Sequence, residues 1–97
     1  MIKKSIYIRE FSNISKLQDK KIVEYFICED TIKCKKIYGI CISETCENEK
    51  SEDVVSCVSS DYFKTFDIVK FLYENSVGIL GFRDILGDVL CKMKEEN

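Results

Sequence analysis

Six cysteines are the side chains of this sequence best suited to chemistry: Cys28, Cys34, Cys41, Cys46, Cys57 and Cys91. Four thiolates can close a tetrahedral site around zinc, and a pair can cycle between thiol and disulfide. Their spacings of 6, 7, 5, 11 and 34 residues include no CxxC knuckle, so a metal site would need neighbouring strands to bring Cys28, Cys41 and Cys57 together. Thiols acting as small apolar side chains are the simpler reading. No metal and no cofactor is therefore expected, and a thiol-based metal or redox protein stands as the alternative function. Cys91 falls by helical phase beside a polar face with Gly87, Asp88 and Glu95. Carboxylates and a helix C-terminus do not activate a thiol, so no nucleophile is assigned there.

Asp84 and Asp88 stand four residues apart, a spacing that can offer two carboxylates to a hydrolytic or metal site. No further ligand follows at matching spacing, and a solvated helix face explains the pair as well. The sequence contains no histidine, which removes the commonest general base and the commonest metal ligand together. It has no glycine-rich phosphate loop, no GxSxG elbow and no HExxH. No catalytic residue is assigned, and the chain is read as non-enzymatic.

Nucleic-acid binding is a further alternative. Lys3, Lys4, Arg9, Lys16, Lys20, Lys21, Lys33, Lys35 and Lys36 interleave with Tyr7, Tyr25 and Phe26, rings that can stack bases on a sheet. Against it, a single one of those cations is arginine, and the chain as a whole carries a net charge of −2. The first 36 residues sum to +4 and the remainder to −6, a dipole that can steer a partner or favour head-to-tail self-association.

The elements that would carry these groups follow from patterning. At 97 residues, 45% hydrophobic and 33% charged, the chain is expected to fold as a single α+β domain over residues 1–97, sheet to residue 60 and helices from 61. The apolar stretch Val77 to Phe82 is too short to span a bilayer, and Arg9 and Glu10 interrupt any signal-like N-terminus. A reducing cytoplasm with free thiols is therefore expected, with no membrane association.

Period-two segments predict strands at Lys3 to Phe11, Lys21 to Glu29, Lys35 to Glu44 and Asp53 to Ser59, in meander order. The second, Ile22 to Cys28, is apolar at nearly every position, as a strand covered on both faces or one meeting a partner would be. Polar connections are expected at Ser12 to Lys20, Asp30 to Lys33 and Thr45 to Glu52, the last a solvated hairpin loop without glycine. From Ser60, a candidate N-cap, the period becomes helical. Tyr62, Phe66, Val69, Leu72 and Tyr73 form one apolar stripe, and Phe82, Ile85, Leu86, Val89, Leu90 and Met93 a second, on helices separated by Asn75, Ser76 and Gly78 with Gly81 capping the second. Gly87 interrupts that helix at a cost of about 1 kcal/mol, which implies something packed close against it, the first helix or a second subunit.

The stretch Asp67 to Val77, continued by Phe82 to Leu90, resembles the C-terminal part of DUF6514, a family of short clostridial proteins of unknown function, and the Tyr38-Gly39-Ile40 strand is similar to that family too. Where its members commonly carry Ser-Pro after the valine, this chain has Gly78-Ile79, so its interhelix turn is expected to differ. The resemblance implies a fold class and a bacterial cytoplasmic setting and no activity. Taken together, the sequence predicts an antiparallel sheet of about four strands followed by two C-terminal helices packed on one face. The expected function is a small interaction or regulatory module with a protein partner or a second copy of itself, met through Tyr25, Phe26, Gly87 and Cys91.

Overall fold

The computed structural model describes residues 2–11 and 21–95. Four strands, β1 (Ile2–Phe11), β2 (Lys21–Ile32), β3 (Lys35–Cys46) and β4 (Glu49–Ser59), are followed by α1 (Tyr62–Glu74) and α2 (Phe82–Glu95). All neighbouring strands are antiparallel and lie in chain order, so the expected meander with two C-terminal helices is what forms.

The hairpins are tighter than the polar stretches suggested. β2 and β3 continue to a two-residue turn at Lys33-Cys34, and β3 and β4 to another at Glu47-Asn48. All four turn residues have positive φ, from 47° to 71°, which is the primed turn whose twist matches that of the strands. The expected loop over Thr45 to Glu52 is thus mostly strand, its charges alternating along a paired ladder. The connection Ser12 to Lys20 lies outside the described residues.

One face of the sheet takes the helices. Val23, Tyr25 and Ile27 of β2 alternate onto it beside Ile40 and Ile42 of β3, all five buried. α1 crosses this layer and contacts all four strands, burying Thr65, Ile68, Val69 and Leu72. Its buried centre is thus rotated from the predicted stripe towards Thr65 and Ile68, leaving Tyr62, Phe66 and Tyr73 as half-buried flanks. Phe82 and Leu86 of α2 complete the core.

The N-cap of α1 is Asp61 rather than Ser60. Its Oδ1 accepts from the backbone N–H groups of Phe63 at 2.9 Å and Lys64 at 3.3 Å, and a carboxylate there also opposes the positive end of the helix dipole. The helix stops at a Schellman arrangement, with the Ser76 N–H donating to the Tyr73 carbonyl and the Val77 N–H to that of Leu72. Ser76 takes the left-handed position at φ 52°. The break therefore turns on Ser76, and no glycine has positive φ.

Two glycines have opposite surroundings. Between Tyr38 and Ile40 the register skips, pairing Tyr38 with Ser59 and Ile40 with Val55, so Ser56, Cys57 and Val58 bulge opposite Gly39. A Cβ on Gly39 would lie 2.6 Å from the Val55 carbonyl oxygen and 2.9 Å from the Ser56 Cα. At Gly87 nothing among the described residues lies within 4 Å of that position, so the first helix is not what packs against it. Gly39→Ala is accordingly expected to lower stability by roughly 1–3 kcal/mol through overpacking against backbone, while Gly87→Ala gains up to about 1 kcal/mol. Urea unfolding of both variants checks the contrast.

Candidate functional site

The four residues singled out from the sequence are not brought together. Tyr25 lies fully inside the core at 0% exposure, its hydroxyl donating to the Val77 carbonyl at 2.7 Å. Phe26 faces the other side of the sheet, half-buried beneath the Lys3 ammonium at 4.3 Å from its ring centroid. Gly87 and Cys91 are exposed on α2. Tyr25 thus touches the chain's own helices and has no surface to offer a partner.

The rings considered for base stacking are also engaged. Tyr7 stacks on Tyr73 at 4.4 Å, and Arg9 lies over the same Tyr73 ring at 4.4 Å while donating to its carbonyl at 2.9 Å. Arg9 thereby sets a cation at the C-terminal end of α1, where the helix dipole favours one. Lys3, Lys21 and Lys36 lie 3.7, 3.7 and 3.9 Å from Glu52, Glu44 and Glu29. Three cations of the first half of the chain are in this way met by carboxylates, Lys21 and Lys36 by those of an adjacent strand and Lys3 by one on the opposite edge.

Sequence reasoning missed a groove of about 530 Å³ between α1 and α2. Ile68 and Phe71 of α1 and Ile85, Val89 and Met93 of α2 form its apolar lining, and Lys64, Asp67, Asp88 and Lys92 its charged rim. It arises because α2 buries Phe82 and Leu86 in the core while Ile85, Val89 and Met93 are half-buried. Phe71 remains 44% exposed at the same face. The apolar spacing on α2 was legible as one stripe, but its division between core and groove depends on where α2 sits against the sheet. Arg83 at the start of α2 adds to that seat, donating to Asp53 in two bonds of 2.7 Å and holding the Asp53 carboxyl below its ordinary range chiefly through those hydrogen bonds.

Asp84 and Asp88 are both exposed, and among the described residues no group of three or more Cys, Asp, Glu or His side chains is placed to hold a metal ion. Cys34, Cys57 and Cys91 are exposed, Cys46 is half-buried, and Cys28 and Cys41 are buried. Cys57 occupies the β4 bulge at φ 58° and does not join the other two.

A family model described as a family of unknown function, DUF6514, matches residues 4–92, extending the likeness seen in the helices over the sheet as well. No curated protein and no solved structure matches the chain.

The buried phenol gives the fold a signature at alkaline pH. Burial, ahead of the neighbouring Arg9 charge that opposes it, pushes Tyr25 up to about 12 from an ordinary value of about 10. A group favoured neutral in the folded state adds stability that is fully present below its unfolded pKa and lost as pH rises through the folded one. Stability of the parent chain is thus expected to fall between about pH 10 and about pH 12. Tyr25→Phe is expected to flatten that fall and to cost about 1–3 kcal/mol at neutral pH, where the Val77 carbonyl loses its partner. Urea midpoints across that range test both.

Proposed function

The chain belongs to this family of unknown function, DUF6514, whose model spans most of it, and from that premise we propose that it is a non-enzymatic interaction module that pairs with a second copy of itself through the α1–α2 groove. The observation that carries the reading is the groove's chemistry: an apolar floor wide enough to receive side chains, with Phe71 projecting beside it as a side chain to be received. Helices of 13 and 14 residues present ridges about 20 Å long, and two such pairs pack ridge into groove as a four-helix layer.

The rim favours a copy over a strongly charged partner. It holds two cations, Lys64 and Lys92, and two carboxylates, Asp67 and Asp88, so each molecule carries both signs with which to meet the other's. A nucleic acid would find carboxylates on that rim. None of the six cysteines is in a disulfide, and a reducing bacterial cytoplasm belongs to the same proposal.

Sedimentation equilibrium over a wide concentration range is expected to give a reversible dimer. Phe71→Ser and Val89→Asp are each expected to weaken it by at least roughly 10-fold, equivalent to about 1.4 kcal/mol, with the far-UV circular dichroism spectrum retained. A strict monomer at high concentration, or a dimer indifferent to both substitutions, contradicts the reading.

A further inference from the structure

The sheet face turned away from the helices is unusually closed. Cys28 is 2% exposed and Cys41 0%, and the cover comes from the sheet's own edges. Lys3 on β1 reaches across both central strands to 3.7 Å from Glu52 on β4, passing over the Phe26 ring. Glu52 also holds Lys50 at 3.0 Å.

Beneath this strap the register sets Cys28 opposite Gly39 and Cys41 opposite Phe26. The two cysteines are therefore diagonal neighbours on one face, and both are buried. Diagonal Cα atoms lie about 7–8 Å apart, beyond the reach of an unstrained disulfide. An ion with metal–sulfur bonds of about 2.3 Å, by contrast, bridges sulfurs roughly 4–5 Å apart. Burial holds both thiols above their ordinary range, and the nearby Lys3 charge opposes it only in part. Among the described residues no third ligand completes a larger metal group around them. Two sulfurs without harder donors suit a soft monovalent ion rather than zinc or calcium.

We propose that Cys28 and Cys41 form a two-coordinate site for a soft monovalent cation of the copper(I) class, with the Lys3 ammonium as counter-charge. Binding replaces two S–H bonds by two metal–sulfur bonds and releases two protons to solvent. No electron is transferred, and the resulting bis-thiolate complex has a net charge of −1. Lys3 neutralises that charge in place, while Glu52 keeps Lys50 as its partner. The site stands on the sheet's outer face and is independent of the α1–α2 groove.

Replacing Cys34, Cys46, Cys57 and Cys91 by serine leaves this pair alone. Titrated anaerobically with copper(I) against a chromogenic chelator, that background is expected to retain one ion per chain, and Cys41→Ser within it none. Lys3→Met changes an exposed side chain and keeps both thiols. It is expected to weaken retention roughly 10-fold, as loss of an outer-shell partner does, and it carries the test if Cys41→Ser does not fold. Silver(I), which cannot be oxidised under these conditions, is expected to follow the same pattern. No retention by the background, equal retention by Cys41→Ser, or an unchanged affinity in Lys3→Met overturns the proposal.

Discussion

The Tyr25 hydroxyl reaches out of the apolar layer of the sheet to the Val77 carbonyl at 2.7 Å, and the placement of both helices depends on that contact. A phenol in a fully buried position must find an acceptor. Val77 supplies one because the Schellman turn directs the chain there just after α1. The same turn buries Val77 itself, so a polar bond and an apolar contact fix one point of the interhelix segment over the middle of β2. Arg9 secures the end of α1 from the other side of Tyr73, and Arg83 ties the start of α2 to Asp53 on β4. With those anchors, α2 directs Phe82 and Leu86 into the core and leaves Ile85, Val89 and Met93 along the groove.

The two faces of the sheet are closed by different means. Over the helix face the cover is apolar and provided by separate elements. Over the outer face it is a charged strap between edge strands, Lys3 to Glu52, together with the β4 bulge that comes down beside Gly39. β2 is apolar at nearly every position because both of its faces are covered in this way, with Val23, Tyr25 and Ile27 on one side and Phe26 and Cys28 on the other.

Patterning carried the element order and the change from strand to helix near Ser60 because hydrophobic period is a local property of the sequence. Turn geometry was less accessible. Lys33-Cys34 and Glu47-Asn48 adopt left-handed conformations without a glycine to announce them, the pairing of long strands outweighing the residues' own preferences. Glycines were hard to read: Gly39 looked like any strand residue although backbone presses on it, and Gly87 is not packed against the first helix. Tyr25 and Phe26 are neighbours in sequence but lie on opposite faces, so naming them as one surface joined residues that the pleat separates. The groove was hidden because it is a property of two helices and their seat on the sheet, and neither helix shows it alone.

Pairing of two copies through the α1–α2 groove puts side chains of one molecule against those of the other. Isotope-filtered nuclear Overhauser spectroscopy on a mixture of labelled and unlabelled protein reads such pairing, since it detects only contacts between molecules. Intermolecular contacts are expected to join the Phe71 ring of one copy to the Val89 and Met93 methyl groups of the other. Intermolecular contacts confined to the outer sheet face, or none at concentrations where the protein fills the sample, would contradict it.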